Sequence, residues 1–229
     1  CEDSRDEFLQ LQFNVGAKTI YDGVYRLLPG ETLQIKRGRI TDRLREDLLS
    51  ESGPLVISEE AALKRLDKLL NNSVDIHQRS DVPYGMFLSG GIDSSVILAL
   101  MARLNDSPVQ AFTAGFSGED VTDERDHARY LAKTVGAIHN EIEFSEDDFW
   151  SLLPSCALAM DDPAADYAML PTFKLGSVVR DAGLKVVLSG EGGDELFGGY
   201  GRYRRACRPR IFGGRAMRER GIFDGLGVL

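Results

Sequence analysis

One stretch limits what this chain can be more than any other: Tyr84-Gly85-Met86-Phe87-Leu88, then Ser89-Gly90-Gly91-Ile92-Asp93-Ser94-Ser95, then the apolar Val96-Ile97-Leu98-Ala99-Leu100. An apolar run of strand length, a glycine turn and a second apolar run predict a buried strand that turns directly into a helix. Gly90 and Gly91 let the chain take dihedrals closed to other residues and let a ligand come close to the backbone. Ser89, Ser94 and Ser95 add hydroxyls, and the start of a helix adds a partial positive charge. Together they form a cradle for a phosphate-sized anion. Asp93 is out of place among phosphates unless a divalent cation lies between, and Mg²⁺ is the usual one. No lysine follows the glycines, so this is not a GxxxxGKS/T loop, and the spacing is not GxGxxG.

The bulk properties leave room for such a site. At 229 residues, with 43 % hydrophobic and 28 % charged residues, the chain is long enough for one well-cored domain with some left over. A net charge of -9 argues against nucleic acid as the default partner. No apolar run approaches the length of a membrane span, and the polar start Cys1-Glu2-Asp3-Ser4-Arg5-Asp6 is not a signal peptide; no membrane partner and a cytoplasmic location are expected. Cys1, Cys156 and Cys207, like His77, His127 and His139, are too scattered for a disulfide framework or a zinc cluster. Lacking an initiator Met, the chain is expected to be a fragment.

Residues 1 to about 50 read as β hairpins, with Leu28-Pro29-Gly30-Glu31 as a turn and Thr32-Leu33-Gln34-Ile35-Lys36 alternating before Arg37-Gly38-Arg39. The polar stretch 41–58 reads as a linker. Ser58 then caps a helix with Glu59 and Glu60 in its first turn and Leu63, Leu66, Leu70 and Val74 along one face. From Val82 onward, short apolar runs alternate with amphipathic segments, the pattern of a parallel sheet with helical crossovers. Strands are expected at 84–88, 109–116, 138–144 and 184–188. Helices are expected at 94–104, 124–135, 147–159 and 167–181, with one more starting near Glu195. Ligands of such sheets bind outside the carboxyl ends of the strands, at a switch point.

A second glycine-rich loop follows the last expected strand: Ser189-Gly190-Glu191-Gly192-Gly193-Asp194-Glu195-Leu196-Phe197-Gly198-Gly199-Tyr200. Its glycines let the backbone wrap a ligand. Asp93 and Asp194, from separate loops, make a reasonable clamp for one Mg²⁺ on a polyphosphate, leaving Glu191 for proton work.

Residues 89–95 resemble the SGGxDSS loop of the PP-loop ATP pyrophosphatases, and SGEGGDELFGGY resembles the second signature of the asparagine synthetase family. The likeness extends to Phe112-Thr113-Ala114-Gly115-Phe116, to Asp123-Glu124-Arg125-Asp126-His127-Ala128 and to Met160-Asp161-Asp162-Pro163. Val24-Tyr25-Arg26-Leu27-Leu28-Pro29-Gly30-Glu31 is similar to the last strands of the glutaminase domain that precedes the synthetase domain in that family.

The resemblance implies an α/β fold, a Rossmann-like parallel sheet with helices on both faces, preceded by a short β remnant. Residues 1–50 would be the end of an N-terminal-nucleophile glutaminase domain and 51–229 a synthetase domain truncated at its C-terminus. Ser89, Gly90, Gly91, Ser94 and Ser95 would hold the pyrophosphate part of ATP. Asp93 and Asp194 would bind Mg²⁺. Leu88, Ala114, Ser189 and Gly190 would line the adenosine pocket, and Glu191 would orient ammonia or take its proton. The implied reaction adenylates a carboxylate, aspartate first among candidates, releases pyrophosphate, and lets ammonia derived from glutamine displace AMP. Rival readings are another PP-loop amidotransferase or cyclase acting on a different carboxylate, and an inactive nucleotide-binding fragment; a homodimer is left open.

Other features are read more plainly. Cys1 is not taken as a nucleophile, because only a domain remnant surrounds it. The arginines from Arg202 to Arg220 suit a solvated helix face, screening of ATP or pyrophosphate, or a nucleic-acid patch. His127 and His139 are acid–base candidates in reserve. Phe149, Trp150 and Leu152 are read as core, Cys156 as a buried thiol and Cys207 as a surface thiol.

Overall fold

The computed structural model describes residues 1–46, 55–116, 124–201 and 203. By contacts these divide into two compact units, residues 1–69 with 144–177 and residues 70–143 with 178–229.

The second unit carries the sheet. Its strands are β3 (Tyr84–Phe87), β4 (Gln110–Phe116), β5 (Ile138–Phe144) and β6 (Val186–Leu188), in the spatial order β5-β4-β3-β6. β3 pairs in parallel with β4, Met86 opposite Ala111, and with β6, Met86 opposite Leu188. The chain therefore steps outward from β3 through β4 to β5 and then returns to the other side of β3. That reversal is the switch point at which open α/β sheets bind ligands. Gly85 is required in this strand, because a Cβ there would fall 2.7 Å from the carbonyl oxygen of Gln110.

The crossover helices are α3 (Ile92–Leu104) and α4 (Arg125–Val135), close to their expected positions. α4 ends on Gly136, in the left-handed region at φ 71°, whose N–H closes back on the last turn. The core collects Met86, Leu88, Leu98, Met101, Ala111, Ala128 and Ala132, with Val74 from α2 (Glu59–His77). α2 starts as expected, Ser58 Oγ accepting from Ala61 N–H at 3.3 Å. Its apolar stripe is buried only toward its C-terminal end: Leu63 is exposed, whereas Leu70 and Val74 pack.

The first unit departs further from expectation. Residues 1–50 are not all hairpin: α1 (Glu2–Leu11) opens the chain. Nothing from Glu2 to Leu11 is β-branched, glycine or proline, and Glu2 and Asp3 complement the helix start, so a helix costs little there. The hairpin of β1 (Glu31–Lys36) and β2 (Arg39–Arg45) is as read, turning on Arg37 and Gly38, both at positive φ as a two-residue hairpin requires. β2 also claims residues 41–45 from the expected linker, whose stretch 47–54 lies outside the described residues.

α5 (Glu146–Ala159) starts on a capping box, Ser145 Oγ accepting from Asp148 N–H and the Asp148 carboxylate accepting from Ser145 N–H. Phe144, Cys156 and Leu170 form a small core with Phe149, Leu152, Met169 and Phe173, so Cys156 is the buried thiol expected. Trp150 is not core. It is 62 % exposed: its ring meets the edge of Phe149 at 5.1 Å between centroids but stays outside the buried cluster. Asp148 also receives Lys174, from α6 (Met169–Asp181), at 2.6 Å, and that bond and the cap hold its carboxyl down at about 2.

Candidate active site

Both glycine-rich loops leave the carboxyl ends of adjacent strands, the first from β3 and the second from β6. The first is anchored from below. Leu88, 2 % exposed, donates its N–H to Phe112 O at 2.9 Å, and its carbonyl accepts from Thr113 Oγ1 at 2.6 Å.

Above Leu88 the loop closes on itself. Ser94 is buried, and its Oγ lies 3.2 Å from Ser89 N, 2.9 Å from Ser89 Oγ, 3.1 Å from Ser89 O and 3.2 Å from Gly91 O. Gly91 N–H donates to Ser89 Oγ at 3.2 Å, and Ser95 Oγ donates to Gly91 O at 2.6 Å. The serines therefore shape the loop. The groups left for a ligand are chiefly the backbone amides at the start of α3, which lack intrahelical acceptors. Gly90 N–H already meets a carboxylate, donating to Glu124 Oε2 at 3.0 Å.

The second loop lies directly against the first. A Cβ at Gly190 would sit 2.8 Å from Ser94 N and 3.0 Å from Asp93 Cβ, and one at Gly193 would fall within 2.3 Å of Asp93 Cγ. Close approach is the reason for glycine at both positions. Gly192, at φ 88°, makes the turn into α7 (Gly193–Phe197), which carries Asp194. The Asp93 carboxylate thus packs on the residue preceding Asp194.

Asp93 and Asp194 are hard oxygen donors of the kind Mg²⁺ takes, carried on two adjacent loops; among the described residues no group of three or more His, Cys, Asp or Glu side chains could hold a metal. An ion so held takes its remaining oxygens from phosphates and water. Glu191 is exposed on the same loop, and Ser189 and Gly190 follow directly on β6.

The wall beside β3 contains residues that motif reading passed over. Ala114 lies between Thr113 and Gly115, and Arg125 lies across Gly115, where a Cβ would collide with its guanidinium at 2.0 Å. Thr113 Oγ1 is also 2.7 Å from His139 Nε2. A hydroxyl has one proton, so while Thr113 holds Leu88 O, the ring hydrogen sits on Nε2. His139 Nδ1 then faces Glu141 Oε1 at 3.3 Å without a hydrogen bond. Burial pushes the His139 pKa down, against the pull of Glu141. The Glu141 carboxyl is itself held low by Arg129, which donates to both of its oxygens at 2.8 and 2.7 Å. His139 is therefore a buried support and not a solvent-facing acid–base group.

His127 is exposed on α4, its ring 6.4 Å from that of Tyr130. Cys207 and the arginines of the tail lie outside the described residues. Thr113, Glu124 and Arg125 lie in segments that the family resemblance takes in, but neither the resemblance nor the residue pattern gives them a role.

Among the described residues no helix is long and apolar enough to cross a membrane. A solved structure, an NH3-dependent NAD synthetase from Campylobacter jejuni, aligns with 65 % of this chain and 63 % of its own at a TM-score of 0.39 and 17 % identity. A protein of Mycobacterium tuberculosis carrying the provisional name asparagine synthetase (glutamine-hydrolyzing) is 38 % identical over 88 % of this chain and 31 % of its own length. Asparagine synthetase (glutamine-hydrolyzing) 1 of Bacillus subtilis is 32 % identical over 92 % of this chain and 33 % of its own. The chain thus spans about a third of the length of these relatives. The asparagine synthase family pattern matches residues 65–224, which takes in both loops and the strands that carry them; the chain belongs to the asparagine synthase family.

Proposed function

We propose that this chain is the ATP-using part of a carbon–nitrogen ligase that adenylates a carboxylate, aspartate first among candidates, and passes the adenylate to ammonia released from glutamine. The observation that carries the reading is the contact between the two loops at the β3–β6 switch point, where Asp93 packs on Gly193 beside Asp194. Residues 1–50 are read as the end of a glutaminase domain and 51–229 as synthetase, acting in the cytoplasm.

A carboxylate resists attack by ammonia because oxide would have to leave. Bonding its oxygen to the α-phosphorus of ATP, with loss of pyrophosphate, gives it AMP as a leaving group. This chain's contribution is to position the groups and neutralise charge. Amides of the 89–95 loop hold the β- and γ-phosphates, with Ser89, Ser94 and Ser95 keeping the loop in shape. Leu88, Ala114, Ser189 and Gly190 form the adenosine wall. Asp93 and Asp194 hold Mg²⁺, which supplies charge neutralisation on the polyphosphate. Glu191, exposed beside the clamp, orients ammonia and takes its proton.

The test is exchange of labelled pyrophosphate into ATP. It is expected to require Mg²⁺ and a carboxylic acid and to be greatest with aspartate. Calorimetry with MgATP reports binding apart from turnover. No exchange with aspartate or any related acid would refute the adenylation reading, and no MgATP binding would refute the nucleotide site as well.

A further inference from the structure

The phosphate loop holds an anion of the protein's own. Gly90 N–H, one of the amides that define the cradle, donates to Glu124 Oε2 at 3.0 Å from 34 residues away in sequence. The two residues lie close at an exposed position: a Cβ at Gly90 would meet Glu124 Cβ at 3.0 Å and Cγ at 3.5 Å. Glu124 is the N-cap residue of α4, yet its side chain makes no capping bond to that helix. Its carboxylate goes to the loop instead.

A carboxylate oxygen and a phosphoryl oxygen are equivalent acceptors for a backbone N–H, and both form charge-assisted bonds. One N–H makes one good linear bond, and two anions at that separation repel each other. A phosphate gripped by Gly90 therefore requires Glu124 to leave it. We infer that Glu124 is an internal counter-ligand, occupying the phosphate loop at Gly90 and exchanging for a phosphoryl oxygen of the bound polyphosphate. It sets how tightly the loop holds a phosphate. In taking that polyphosphate to be ATP, the inference rests on the proposed function.

The experiment follows the Gly90 amide by NMR in the full chain and in Glu124→Gln and Glu124→Ala, titrating with inorganic pyrophosphate and, separately, MgATP, with calorimetry for affinity. In the parent, Gly90 is expected to carry the downfield shift of a charge-assisted bond, to lose part of it in Glu124→Gln and all of it in Glu124→Ala, and to regain it with pyrophosphate. Glu124→Gln should bind MgATP about tenfold more tightly, the difference between a charged and a neutral competitor for one amide, and Glu124→Ala at least as tightly. Equal or weaker MgATP binding by both variants, or a Gly90 resonance indifferent to Glu124→Gln, overturns the inference while leaving the ATP reading intact. Exchange by pyrophosphate without MgATP binding upholds the inference and removes the ATP reading. No response to either ligand in all three proteins overturns both.

Discussion

The two glycine-rich loops reach the same place by opposite means. The first is specified by groups that are present: Ser89, Ser94 and Ser95 close it with their hydroxyls, and Leu88 below is tied to β4 by Phe112 and Thr113. The second is specified by what is missing, since Gly190 and Gly193 let its backbone lie against Asp93 and Ser94. A hydroxyl lost from the first loop removes one bond from a network. A methyl added to the second at Gly190 forces two backbones apart. The second loop should therefore be the less tolerant of substitution.

Gly190→Ala tests that difference hardest. Its Cβ would meet the backbone nitrogen of Ser94 at 2.8 Å, which no rotamer change relieves. Urea unfolding should show a loss of about 2–3 kcal/mol, as for an overpacked core, and MgATP binding should disappear. Gly193→Ala should behave differently, because the atoms its Cβ meets belong to the Asp93 carboxylate, which can rotate away. Stability should fall little, while the Mg²⁺ concentration needed for ATP binding should rise about tenfold, the value of one charged ligand contact. A Gly193→Ala protein as unstable as Gly190→Ala would break the distinction between the two glycines.

Ser94→Ala should cost about 1–2 kcal/mol by the same unfolding assay, because it removes a buried hydroxyl and strands its partners. Ser95→Ala, with one bond at the surface, should cost less than half of that. If Ser94→Ala proves worse than Gly190→Ala, hydrogen bonding and not close approach governs both loops.

Two smaller effects depend on pH. His139 supports the first loop through Thr113, and its folded pKa lies below the ordinary 6.5. The unfolded chain then binds the proton more readily, so stability is full above about pH 6.5 and declines as pH falls toward the folded value. His139→Gln should flatten that decline in pH-dependent melting curves. Asp148, far along the chain from either loop, serves as the control. Its carboxyl is held at about 2 against an ordinary 3.8, so its contribution is full above 3.8 and is lost as pH falls through 2. Lys174→Met should move that loss to higher pH and leave MgATP binding unchanged at pH 7.

Much of this was legible because it is local. Strand, glycine turn and helix start follow one another in residues 84–104, and the observed elements begin and end within about two residues of those expected. The second loop was legible for the same reason. The sheet pattern put both loops at strand carboxyl ends, and the structure adds that Gly190 and Gly193 lie against Asp93. What escaped was of two kinds. Helix α1 was hidden because the hairpin signals that follow it drew the whole segment into one class, although Glu2 to Leu11 contains no β-branched residue. Glu124 on Gly90 and Thr113 on Leu88 are tertiary hydrogen bonds across 34 and 25 residues, set by strand order and register, which no local pattern encodes. Trp150 shows the converse: an aromatic at helical spacing looked like core, but the direction of the buried stripe decided otherwise.

The strand order also has a consequence in time. β3 is made early, yet its partner on one side is β6, about a hundred residues later, with β4, β5 and four helices between them. During synthesis the first loop is complete long before the second exists, and Asp93 has no counterpart until residues 186–197 have emerged and docked. Pairing at that separation is slow, because a long loop must close before any contact rewards it. While residues 186–188 are still unmade, the β6 side of β3 has no strand to pair with, and an open strand edge is the surface most prone to pair with a neighbouring chain.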